Sequence, residues 1–174
     1  FAWQNFMTGN QAVFMDPYVV YYPRQGRNLC PSPINGVCSG PDARWTNLRA
    51  NLGYILQYSR KINLANVTPQ SSLCSTRNCL AQTPSVGAEY LVYAPNGGTF
   101  TVDLSAMSSA RTLDVEWLNP STGATIDGGF IPAGSTSRAF TPPFAGDAVL
   151  YLVDAGGHAG APYLSASRAA STSY

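Results

Sequence analysis

Four cysteines, nine carboxylates, one histidine and a cluster of aromatic side chains near the amino terminus are the groups with chemistry to offer in this 174-residue sequence. The cysteines form two close pairs, Cys30 with Cys38 and Cys74 with Cys79, and neither spacing is the Cys-x2-Cys hook of a zinc site. The only histidine, His158, is far away in a glycine-rich stretch, so two local disulfides in an oxidising compartment are the better reading. Three pairings are open, and the sequential one is preferred because both intervals hold turn-forming residues. The first 66 residues offer only two carboxylates, Asp16 and Asp42. Asp42 reads as a helix-start residue. Asp16, before Pro17, either accepts backbone hydrogen bonds in a turn or touches a substrate. No catalytic residue is therefore assigned.

Aromatic faces pack against sugar rings while polar neighbours bind hydroxyls. Trp3, Phe6, Phe14, Tyr18, Tyr21 and Tyr22 could line such a cleft or simply pack inside a larger body. Trp3, Asp16 and Tyr18 are the candidate substrate contacts. Asn66-Val67-Thr68 forms an N-glycosylation triplet, which competes with chance occurrence. The acidic residues Glu89, Asp103, Asp114, Glu116, Asp127 and Asp147 do not follow calcium-loop spacing. They are expected to cap turns, form surface pairs or add solubility. No metal or cofactor is implied. With a net charge of +1 and no basic cluster, a nucleic-acid partner is not expected. No apolar run approaches the roughly 20 residues of a membrane span.

These groups must be positioned by two kinds of segment. Residues 1–66 read as an aromatic-rich start with a turn signal at Thr8-Gly9-Asn10 and short strand or buried-loop pieces at Ala12–Met15 and Val19–Tyr22, a long loop from Pro23 to Gly40 stapled by Cys30 and Cys38, and a helix from Pro41 through about Lys61. Ser39 or Gly40 would cap that helix, and Trp45, Leu48, Leu52, Ile55, Leu56 and Ile62 would form its buried face. Arg60 and Lys61 suit its carboxyl end. Residues 67–154 read as short antiparallel strands: Glu89–Ala94 and Thr99–Leu104 joined by a Pro95–Gly98 hairpin turn, then Thr112–Leu118 turning at Asn119–Gly123, then Ser135–Phe140 and Ala148–Val153. The last is apolar on both faces and should be central, and Trp117 should be core. Residues 155–174, rich in Gly, Ala and Ser, read as a surface tail anchored in part by Tyr163 and Leu164. The expected fold is mainly β, an antiparallel β-sandwich preceded by a strand–loop–helix segment.

The run Tyr90–Ser105, the segment Val115–Gly123 and the segment Phe140–Leu152 resemble the sandwich module that carries a collagen-binding label in secreted bacterial and fungal proteins. That module commonly follows a (β/α)8 barrel of the apiosidase-like, family 140 glycoside hydrolase kind. Residues 1–69 resemble the end of such a barrel, apart from the inserted Cys30–Cys38 loop, and the resemblance implies a late strand and loop near Phe6–Gly9, a long active-face loop and the final barrel helix at Pro41–Ile62. The resemblance implies a secreted or extracellular protein whose catalytic acids sit on earlier barrel strands, in a remainder of the protein or a companion chain. This chain would supply a supporting sandwich and one rim of a carbohydrate site. Two other readings stay open: a noncatalytic structural or adhesive protein that self-associates into a homo-oligomer, and a carbohydrate-binding module, which would need exposed coplanar rings on the sandwich.

Overall fold

Period-two alternation in Thr112–Leu118 sends Leu113, Val115 and Trp117 to one face and Asp114 and Glu116 to the other. A computed structural model, which describes residues 1–10, 45–83, 87–134 and 136–156, turns that alternation into layers. Among the described residues eight strands follow two α-helices: α1 (Ala2–Met7), α2 (Thr46–Lys61), β1 (Thr68–Pro69), β2 (Cys79–Gln82), β3 (Glu89–Ala94), β4 (Phe100–Asp103), β5 (Thr112–Leu118), β6 (Thr125–Pro132), β7 (Ser137–Phe140) and β8 (Ala148–Asp154). Six of them make an antiparallel sheet in the order β1-β2-β3-β8-β5-β6, and β4 pairs with β7 in a second, small sheet. The fold is an antiparallel β-sandwich.

Between the sheets lies one core, in which Tyr90, Val92, Leu113, Val115, Trp117, Leu150 and Leu152 of the large sheet meet Phe100, Val102, Leu104 and Phe140 of the small one. The opposite face of the large sheet carries a second core. There Leu80, Leu91, Tyr93, Leu118, Val149, Tyr151 and Val153 meet Trp3 and Met7 of α1 and Ile55 and Tyr58 of α2. Every residue of β8 is buried because it is central and covered on both sides, which explains its unbroken apolar run.

Three expectations change. The Phe6–Gly9 stretch is not a strand: it ends α1. The Gly9 and Asn10 amides donate to the Phe6 and Asn5 carbonyls, and Gly9 adopts φ +77°. This is a Schellman end, so Thr8-Gly9-Asn10 is a helix terminator. The Pro95–Gly98 turn joins no hairpin. β3 pairs with β2 and β8 while β4 pairs with β7, so the turn arches from one sheet to the other. Finally, the buried face of α2 is the expected one in Leu48, Leu52, Ile55 and Ile62 but not at its margins: Trp45 and Leu56 are 40% and 51% exposed, whereas Tyr58 is 1% exposed. The Ser39 and Gly40 caps, Pro41 and Asp42 lie outside the described residues, as does the tail from residue 157, including His158, Tyr163 and Leu164.

The hairpin at Asn119–Gly123 is as expected: β5 pairs with β6 along its length. The Asn119 side chain accepts from the Ser121 amide at 2.9 Å, and the Gly123 amide returns to the Asn119 carbonyl at 2.7 Å. No described helix is long and apolar enough to cross a membrane.

Candidate functional site

Polar and aromatic side chains concentrate where α1 and α2 lie on the large sheet. Trp3 stacks on Tyr93 with ring centroids 6.2 Å apart and meets Phe6 and Tyr58 edge-on. Its indole N–H donates to Asn51 Oδ1 at 2.8 Å, and Asn51 in turn donates to the Pro120 carbonyl at 3.2 Å. One helix residue thereby joins α1 to the β5–β6 turn. Trp3 is 2% exposed. Of its two expected roles, the one seen in this chain is packing.

At the other end of α2 the contacts are charged. The Tyr58 hydroxyl donates to Glu116 Oε1 at 2.6 Å, and Lys61 Nζ reaches the same oxygen at 2.5 Å. The Lys61 ammonium also sits 5.4 Å from the Tyr58 ring centre and 4.9 Å from that of Tyr151, a cation–π arrangement on two rings. Glu89, 1% exposed, accepts the Asn63 amide at 2.7 Å and the Tyr151 hydroxyl at 3.3 Å. The amide it takes lies just beyond the helix, so a strand carboxylate fixes the exit of α2. Burial, then the charge of and hydrogen bond to Glu116, push the Tyr58 hydroxyl far above the ordinary tyrosine range. Burial and Glu89 do the same to Tyr151.

A third polar group closes the loop end of the sandwich. Asp147 accepts from Tyr93 at 3.2 Å and from Ser121 at 3.3 Å. Burial and Asp147 push the Tyr93 hydroxyl up to about 12. Asp154, fully buried, holds the Gly87 amide at 3.0 Å and Arg111 at 3.3 Å.

Chemically, this is an internal seam whose polar groups are spent on one another. Glu89 and Glu116 stand on strands separated by β8, and each is committed to tyrosine, lysine or amide donors across the seam. The expectation that Glu89 and Glu116 serve as turn or surface acids is corrected for Glu89, which is buried. Asp103 and Asp127 do cap turns, accepting the Ser105 and Gly129 amides at 2.8 and 2.7 Å. Hydrogen bonds from Ser105 hold the Asp103 carboxyl below its usual range. Sequence reasoning missed Tyr58, Asn51 and Tyr151. For Tyr58 the available signal was its place between Ile55 and Ile62 at three- and four-residue steps on the buried helix face.

Of the other predicted residues, Cys74 and Cys79 form a disulfide, Asn66 lies exposed in the turn after α2, and Asp16, Tyr18, Cys30 and Cys38 fall outside the described residues. Trp117 is sandwich core, 5% exposed.

Among solved structures, a chain described as a glycoside hydrolase shares 17% identity over 73% of this chain and 31% of its own length, with a TM-score of 0.52. A family 5 glycoside hydrolase from Bacteroides vulgatus ATCC 8482 shares 19% identity over 60% of this chain and 24% of its own, with a TM-score of 0.48. The chain thus spans about a quarter to a third of these solved proteins. No curated protein sequence matches it. The family described as "Putative collagen-binding domain of a collagenase" matches residues 67–153, half of the chain, from just before β1 to the penultimate residue of β8, and the chain belongs to that family.

Proposed function

We infer that this chain is the C-terminal accessory part of a secreted glycoside hydrolase-like protein of the apiosidase-like kind, in which the sandwich buttresses a catalytic barrel. One observation carries the reading. The outer face of the large sheet is apolar and is covered by two helices through a buried seam, and this helix layer still leaves Leu56 of α2 51% exposed. An apolar side chain left on that layer suits packing against a further body. The fold likeness to a longer glycoside hydrolase chain supports the same arrangement. A local disulfide fits an extracellular setting.

In this reading the catalytic acid and base belong to the barrel, in the remainder of the protein or a companion chain. Asp16 and Tyr18 belong to the rim of its carbohydrate site. Native mass spectrometry of source-purified protein, followed by denaturation of the same assembly, tests it. Barrel sequence in the same polypeptide or in a second chain supports the proposal. An assembly made only of copies of this chain overturns it in favour of a self-associating adhesive role.

A further inference from the structure

The structure assigns Asn66 as an acceptor of an N-linked oligosaccharide, a modification independent of any role beside a barrel. Two triplets of the form Asn-x-Ser/Thr occur in the chain, Asn66-Val67-Thr68 and Asn119-Pro120-Ser121. The second is closed to this chemistry by its central proline, and its asparagine oxygen already holds the Ser121 amide. The first has the opposite character. Asn66 and Thr68 are both exposed, whereas Val67 between them is 8% exposed and set into the seam core. Burying the middle residue drives its two neighbours outward.

The local backbone keeps that arrangement. The Asn66 and Val67 amides both return to the Asn63 carbonyl, at 3.0 and 3.1 Å, closing the turn that leads from α2 to β1. Thr68 then starts β1, the outermost strand of the large sheet, two residues long and ending in Pro69. Among the described residues, a sugar chain here displaces no packed side chain, and it would also cover Leu64, 48% exposed in the same turn.

In the transfer, the Asn66 side-chain nitrogen forms a bond to C1 of the first sugar of a lipid-pyrophosphate-linked oligosaccharide. The bond from C1 to the pyrophosphate oxygen breaks, the lipid pyrophosphate leaves and the amide gives up one proton. The Thr68 hydroxyl supplies the required group two residues on.

The test is secretion of the full chain from a eukaryotic host, with intact-mass measurement before and after peptide-N-glycosidase. The expected result is a mass above 18.5 kDa that returns to the bare chain on digestion and leaves aspartate at position 66. Asn66→Gln and Thr68→Val should abolish the added mass, while Thr68→Ser keeps it. All three changes are at exposed positions, and circular dichroism confirms folding. Folded, secreted chain without added mass overturns the assignment, as does added mass that survives Asn66→Gln.

Discussion

A single methyl group added at Gly53 and at Gly97 has opposite expected effects, because one glycine occupies open space and the other a crowded turn. Gly53 lies in the middle of α2, exposed, and a Cβ there meets nothing within 4 Å. Gly53→Ala should stabilise the chain by about 0.5–1 kcal/mol, the usual gap between the two residues in a helix interior. Gly97 has φ +62°, and a Cβ would lie 2.1 Å from the Gly146 carbonyl oxygen. The left-handed conformation alone costs an alanine about 1–2 kcal/mol, and the backbone clash adds to it, so Gly97→Ala should lower the urea midpoint by at least that equivalent. Equilibrium unfolding of the two variants checks both signs. Gly97 was legible as a turn residue from Pro95-Asn96-Gly97-Gly98, but its backbone neighbour, fifty residues on, was not. Glu89 shows the same limit more sharply. A glutamate opening a strand ordinarily reads as solvated, and its burial depends on an amide and a hydroxyl that only the docking of α2 and β8 brings near it.

At the scale of elements, periodicity identified most of the strands, and turn residues identified the β5–β6 pair but not the partners of β3 and β4. Thr112–Leu118 and Ala148–Asp154 were readable because alternation and unbroken apolarity report directly on one covered face or two. The arch between β3 and β4 was misread as a hairpin because the same turn residues serve both geometries. What separates them is whether the flanking strands find better partners elsewhere, as β3 does in β2 and β8. The short strand β2 was missed, since Cys79–Gln82 sits in a stretch whose Ser, Thr and Pro content reads as loop. It is β2, through the disulfide, that ties the two sheets at this edge. Cys79 belongs to the large sheet, while Cys74 bridges to Val102 of β4 and the Ser75 amide donates to the Thr101 carbonyl. Replacing both cysteines by alanine should cost about 2 kcal/mol, the loop-closure value for so short a span. The loss should appear locally before it appears globally. Hydrogen exchange should rise at Ser75 and along β4 while β3 and β8 keep their protection, and uniform loss across all strands would show that the staple does not act on the small sheet in particular.

At the scale of the whole molecule, three layers are held by two cores, and tyrosine hydroxyls are buried in both. Tyr90 faces the core between the sheets, where burial and the nearby Asp103 charge push its hydroxyl up to about 12. Tyr93, also raised to about 12, and Tyr58 and Tyr151, raised further, face the seam under the helices. In the unfolded chain all of them ionise near 10. The folded state therefore keeps protons that the unfolded state has released once the pH exceeds that value. The sign follows from linkage: the stability these groups contribute is fully present below about pH 10 and is lost as the pH rises toward and through their folded values. Unfolding midpoints in urea should hold steady up to about pH 10 and then fall. The share of the tyrosinate absorbance that belongs to these four of the ten tyrosines should appear together with the loss of β structure, not ahead of it. Tyr58→Phe should make that alkaline decline shallower, because one of the groups driving it is gone, even though the variant loses a hydrogen bond to Glu116 and is less stable at neutral pH. Tyr90→Phe should also flatten the decline, but with little cost at neutral pH, since its hydroxyl has no hydrogen-bond partner among the described residues. If both variants declined with the parent's slope, alkaline unfolding would be driven from outside the two cores, and these hydroxyls could not be what limits the layers' stability at high pH.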